Sequence, residues 1–205
     1  FLHAFEGGVE FVWGVQGDAT RRPAITFFAS EVPQITQDRS LVKIEPLPVT
    51  MLPSVTVRIN GVDMPALLDT GSPVTVLNAQ AAKAAGVETV ESVSQKKNGN
   101  FFSQFSDNWR YAQAAQRGDV LSIMSAEGRV DLLKTVASLQ VNVLDDEEEE
   151  VSFGDSHVFV GDLPGLAALN GIGVDSPPAV VLGMDVLRTR PSMLIKARSN
   201  EVYFE

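Results

Sequence analysis

The sequence predicts a mainly β domain with a few short helices. Three observations point there. Short apolar runs of strand-type composition recur along the chain, separated by Gly, Pro, Asn and Asp. Asn60-Gly61 stands between two of these runs, a strong hairpin signal. Two further apolar runs, Pro65 to Leu68 and Val74 to Leu77, flank a tight Asp69-Thr70-Gly71-Ser72 turn.

Composition narrows the function classes. The 205 residues allow one domain, or one domain with an extension, and 44% hydrophobic residues supply a core. A net charge of -10 argues against nucleic acid and anionic membrane surfaces, both of which attract basic footprints. Without cysteine there is no disulfide framework and no thiolate metal site. His3 and His157 are the only histidines, so no His-rich metal site is expected, and no cofactor is implied. No run reaches the ~18 apolar residues of a membrane helix, so no membrane span is expected. The chain opens at Phe1 rather than Met, as a fragment or a processed form would.

In chain order, residues 1–49 read as an accessory N-terminal β segment, with strands at Val9–Val15 and Ala24–Ala29 broken up by prolines. Val55–Ile59 and Val62–Leu68 form the Asn60-Gly61 hairpin, and the second strand delivers Asp69 into its turn. Pro65 cannot donate to a ladder, so an edge there should be free or bulged. Asn78 is placed to cap a helix over Ala79–Ala85 that stops at Gly86.

An insertion is expected around residues 88–119. It holds a polar loop, an aromatic cluster (Phe101, Phe102, Phe105, Trp109, Tyr111) and a helix from Asp107 to Arg117 ended by Gly118. Val120–Met124 and Arg129–Leu133 then form a hairpin about Ser125-Ala126-Glu127-Gly128. Strands are expected at Val136–Leu144 and Val151–Val160, with the acidic run Asp145–Glu150 a solvated loop between them. Gly161–Pro178 reads as a connection. Val181-Leu182-Gly183 leads into a short helix, and Met193–Lys196 with Val202–Phe204 makes a terminal hairpin.

The chemistry concentrates at Asp69. Buried strands on both sides hold a carboxylate rigidly, as a catalytic group requires. Gly71 lets backbone approach the carboxylate, and Thr70 and Ser72 bring two hydroxyls beside it. One carboxylate cannot readily serve as both base and acid in peptide hydrolysis, whereas two sharing a proton can. The chain carries a single Asp-Thr-Gly, so a second carboxylate must come from another copy.

Over residues 50–205 the chain resembles the retropepsin-like aspartic proteases, the single-lobe family that includes retroviral proteases. The likeness rests on the hydrophobic-hydrophobic-Asp-Thr-Gly-Ser motif and on the distal Val181-Leu182-Gly183 motif, in the expected order. It implies a closed β lobe with short helices that forms a two-fold symmetric homodimer, with a strand threaded beneath the catalytic turn. It implies an aspartic endopeptidase acting on a peptide or protein through an Asp69/Asp69′ dyad. Thr70 would bond across the axis, Ser72 would donate to the outer oxygen of Asp69, and the Gly71 carbonyl would hold substrate backbone. Met124, Ser125, Ala126, Glu127 and Gly128 would form the flap that closes over substrate. The C-terminal strand would join an intersubunit sheet.

Pro73 and Met184 replace the Asp and Arg that form an ion pair in viral members, which leans the likeness toward cellular members and leaves the turn to be supported by packing. The alternative is a catalytically inactive dimerisation or peptide-binding module on the same fold. A carboxylate-pair glycosidase lacks a second carboxylate placed near Asp69.

Overall fold

The structure is a computed structural model and describes residues 2–13, 22–30, 39–48, 50–89, 113–125, 128–145, 147–173 and 175–205. Among the described residues the named elements are fifteen strands, two short α-helices and two 3-10 turns, beside a helical stretch at 113–116. Mainly β architecture with few short helices is therefore observed, as the sequence predicts. Among the described residues no helix is long and apolar enough to cross a membrane.

The larger sheet is built around β5 (Pro53–Ile59) and β6 (Val62–Leu68). They pair antiparallel from Ile59↔Val62 to Ser54↔Leu67. Asn60 and Gly61 between them both take positive φ, 50° and 78°, as a two-residue hairpin turn demands. Pro65 faces Thr56 on one side, and on the other side β13 begins only at Ala66, so the missing N–H interrupts no ladder.

After the turn come β7 (Val76–Leu77) and α1 (Ala79–Ala84). Asn78 caps α1 by accepting from Ala81 N at 2.8 Å, and Gly86 follows at φ 63°. β13 (Val180–Leu182) then runs between the strands on either side of the turn, parallel to β6 (Val181↔Leu67) and antiparallel to β7 (Val181↔Val76). The strand expected beneath the turn is there.

Side-chain alternation divides this layer between two apolar clusters. Ala66, Leu68, Leu77, Val180 and Leu182 face the main core. Leu67, Val76, Ala179 and Val181 face a second cluster. Burial on both faces explains why these strands read as unbroken apolar runs.

Three boundaries differ from expectation. The strand expected over Val136–Leu144 is β10 (Leu139–Leu144), and Val136 is 50% exposed. The single strand expected over Val151–Val160 is two, β11 (Glu150–Ser156) and β12 (Phe159–Val160). The chain breaks at His157-Val158 because β11 pairs with β10, whereas β12 joins β7 and β9. The Gly161–Pro178 connection contains a 3-10 turn, Pro164–Leu169.

Of the region 88–119, residues 90–112, which carry the aromatic cluster and the start of the expected helix, lie outside the described residues. Residues 113–116 are helical, and Gly118 at φ 74° donates to Ala115 O to end them.

A second sheet joins the two ends of the chain. Its order is β2 (Ala24–Phe28), β1 (Gly8–Val12), β14 (Ser192–Lys196), β15 (Glu201–Phe204), β3 (Ser40–Lys43). The C-terminal hairpin β14–β15 thus has β1 along one edge and β3 along the other, both from its own chain. The expected intersubunit pairing of the C-terminal strand has no open edge to use.

The cis pairing is a packed one. Val9, Ile195, Val202 and Val42 lie in register across the four strands and are 4% exposed or less. Arg39, next to β3, forms an ion pair with Glu10 of β1.

Candidate active site

Asp69 leaves β6 with its N–H donated to Leu182 O at 3.1 Å, which pins it to the threaded strand. Its carboxylate turns back on the loop. Gly71 N–H donates to Oδ1 at 2.8 Å. A Cβ at Gly71 would sit 3.1 Å from the same oxygen, a tight contact that glycine avoids. Among the described residues Oδ2 accepts no hydrogen bond. One carboxylate oxygen is thereby fixed and the other left open at a turn whose Thr70, Gly71 and Pro73 are exposed.

Ser72 does something other than the expected. It is 7% exposed, and its hydroxyl donates to Val74 O at 2.7 Å rather than to Asp69. Its carbonyl accepts from Met184 N at 2.8 Å. Ser72 points beneath the turn, where it binds the loop to the head of α2 (Met184–Leu187).

The support under the turn was missed in the sequence. Thr75 is fully buried and donates twice to Asp185, from its backbone N to Oδ2 at 2.9 Å and from Oγ1 to Oδ1 at 2.7 Å. Thr75 Oγ1 also accepts from Gly183 N at 2.9 Å. The expectation of support by packing alone is therefore corrected: a charge-assisted hydrogen-bond set replaces the absent ion pair. A signal was available. A threonine between Val74 and Val76, and an aspartate between Met184 and Val186, are polar residues inside apolar runs, and buried polar groups are paired.

Gly183 lies where two chain segments cross. A Cβ there would overlap the Val74 carbonyl and crowd Thr75 N. Val181 and Leu182 are both fully buried in the strand leading to it.

Asn78, expected as a cap, has a second role that the sequence did not show. Besides capping α1, its amide donates to Gly171 O at 2.9 Å and Pro177 O at 2.7 Å, and Oδ1 accepts from Ala179 N at 3.1 Å. This fully buried side chain fastens the segment leading into β13 onto the end of β7, after the Asp69 turn.

The expected flap hairpin is a hairpin. β8 (Val120–Ser125) pairs with β9 (Gly128–Lys134) through Ser125↔Gly128, and Ala126 and Glu127 lie outside the described residues. Leu121, Ile123, Val130 and Leu132 on one face pack against the second apolar cluster, which contains Leu67 and Val181. Ser122, Arg129 and Asp131 share hydrogen bonds on the other face. Met124 is 78% exposed. The hairpin is amphipathic, and its apolar face packs into the cluster that contains Leu67 of the strand leading to Asp69.

A β lobe that lifts one Asp-Thr-Gly turn over a threaded strand and a Gly-headed helix has the likeness of a retropepsin-like aspartic protease. Comparison with known proteins agrees: residues 55–104 match the family model described as aspartyl protease. Solved structures similar to the chain include the retropepsin-like aspartic protease from Rickettsia conorii, at 12% identity and TM-score 0.44, covering 82% of this chain and 99% of that one. The EIAV protease complexed with the inhibitor HBY-793 is similar at 16% identity and TM-score 0.36, covering 69% and 89%. No curated protein matches the chain.

Proposed function

We propose that the chain is an aspartic endopeptidase whose catalytic pair is Asp69 of one copy and Asp69 of a second. The observation that carries this reading is the asymmetry of the carboxylate: Oδ1 is held by Gly71 N–H and Oδ2 is open on an exposed turn. A carboxylate so placed can share a proton with a like group brought against it, because two adjacent charges of one sign cannot both persist. The ionised member takes a proton from water. The protonated member donates to the substrate carbonyl oxygen as the water oxygen bonds to carbon. As the tetrahedral intermediate collapses and its C–N bond breaks, the pair gives one proton to the leaving amine and takes one back from a hydroxyl of the intermediate. The pair ends with the one proton it began with.

The amphipathic β8–β9 hairpin supports a lid role, since closure over an extended peptide excludes water from the pair. On this reading Thr70, exposed next to Asp69, bonds across the axis. The test is hydrolysis of an unfolded protein by the wild type and by Asp69→Asn. We expect a loss of at least ~10²-fold with the fold retained. Equal turnover by the two proteins would reject the protease reading.

A further inference from the structure

Leu182 C=O and Gly183 N–H belong to one peptide group, and that group is held at both ends. Its oxygen accepts from Asp69 N at 3.1 Å, and its N–H donates to Thr75 Oγ1 at 2.9 Å. The Thr75 hydroxyl donates in turn to Asp185 Oδ1 at 2.7 Å. We propose that Asp185 is a positioning residue for hydrolysis, holding the Asp69 backbone in place through Thr75 and the Leu182–Gly183 peptide. The proposal rests on the protease reading of Asp69.

The bonds all run one way, from Asp69 N–H to Leu182 O, from Gly183 N–H to Thr75 Oγ1, and from Thr75 O–H to Asp185. Each linking group accepts at one end and donates at the other, so each bond polarises the next. The run ends on a carboxylate, and charge-assisted bonds are the stronger kind.

Strand pairing leaves a place for this link. β13 pairs with β6 as far as Leu182↔Leu68, but with β7 only as far as Val181↔Val76. Gly183 lies past the last β7 pair, and its N–H bonds the Thr75 side chain instead of a strand carbonyl. Thr75 and Leu182 are fully buried there, so loss of the hydroxyl strands the N–H.

Asp185 accepts from Thr75 N and Thr75 Oγ1 on different oxygens, and from Val186 N. Two bonds from one residue fix the Thr75 rotamer, and with it the lone pair that meets Gly183 N–H. Gly71 N–H fixes the Asp69 carboxylate against its own turn, while the run from Asp185 fixes the backbone that carries it. Misplacement of a reacting group by about 1 Å costs up to ~10²-fold in rate.

The experiment compares wild type, Thr75→Val, Thr75→Ser and Asp185→Asn. It measures kcat and KM on an unfolded, dye-labelled protein, at enzyme concentrations where dilution leaves specific activity unchanged. It also measures amide hydrogen exchange at Asp69, with Val57 of β5 as the reference for global stability. Thr75→Val loses the hydroxyl, and Asp185→Asn sets an amide N–H₂ against one of the two Thr75 donors. In both, kcat should fall about 10- to 100-fold with KM unchanged. Asp69 N–H should exchange about tenfold faster relative to Val57. Thr75→Ser, which keeps the hydroxyl but loses a buried methyl, should lose stability yet restore the rate and the Asp69 protection.

Equal kcat in Thr75→Ser and Thr75→Val of an active enzyme overturns the positioning role and leaves the protease reading intact. So does a change confined to KM, or Asp69 exchange that follows Val57 in every variant. A wild type that hydrolyses nothing removes the protease reading and the positioning role with it. If Asp185→Asn fails to fold, the Thr75 pair decides.

Discussion

Thr75 and Asp185, 110 positions apart, are joined by two hydrogen bonds of 2.9 and 2.7 Å beneath the turn that carries Asp69. Thr75 lies six residues after Asp69, and Asp185 lies in the first turn of the helix that follows the threaded strand. The pair locks the two halves of the motif together. Thr75→Val keeps the shape but removes a donor to a carboxylate and the acceptor for Gly183 N–H. Leaving such groups short of partners in a buried site costs about 1–3 kcal/mol each. Urea unfolding should show the midpoint falling with an unchanged m-value. A shift equivalent to less than ~0.5 kcal/mol would mean that the hydroxyl does not tie the motif together.

Gly183→Ala tests the chain crossing. Its Cβ would overlap backbone atoms of Val74, which cannot rotate away. Overpacking commonly costs about 1–3 kcal/mol, and we expect the upper end or failure to fold. Gly165→Ala is the control, since its Cβ would meet Val181 and Leu67 at ordinary distances of 3.4 and 3.7 Å. Equal stability of the two variants would show that the crossing is not tight.

Ser72→Ala separates two roles for the hydroxyl. Its bond to Val74 O is structural, so loss should cost about 1 kcal/mol of stability. Because Gly71 N–H, not Ser72, is the donor to Asp69, the pH–kcat/KM profile should superimpose on that of the wild type. A window displaced to higher pH in Ser72→Ala would mean that the hydroxyl reaches Asp69 in the working enzyme.

How far the site could be read in advance follows from range. The Asp69-Thr70-Gly71-Ser72 turn and the apolar run before Gly183 were legible because local apolar runs and turn residues mark them, and the threaded strand followed from the family resemblance. The Asn60-Gly61 hairpin and the Asn78 cap were legible for the same reason. The Thr75–Asp185 pair and the Asn78 bonds to Gly171 and Pro177 were not, because each partner lies about 100 positions away in sequence. The Ser72 hydroxyl was assigned to the wrong acceptor because spacing cannot tell which face of a turn a side chain takes. The break at His157 escaped because strand propensity is continuous there, and only pairing with different neighbours interrupts it.

Tyr203 reports on the terminal sheet. It is 8% exposed, and its hydroxyl donates to Glu201 at 3.0 Å. Burial first, then Glu201, pushes its pKa up to about 12. A raised folded-state pKa gives a contribution that is fully present below the unfolded value, near 10, and lost as pH rises through the folded one. Stability should therefore decline between about pH 10 and 12. Tyr203→Phe should flatten that decline. An unchanged slope in Tyr203→Phe would assign the alkaline loss to other groups.

The central claim is that one active site needs Asp69 from two chains, and a mixing titration measures this directly. Wild type is held at fixed concentration, above its dimer dissociation constant, while folded Asp69→Asn is added and the pair is allowed to exchange. Each mixed dimer carries one carboxylate and is inert. At equal amounts, wild-type pairs are about a quarter of all dimers, so activity should drop to about half of its starting value and keep falling as more variant is added. Activity that stays constant, with mixed dimers present by sedimentation, would contradict a shared site and place the whole of catalysis within one chain.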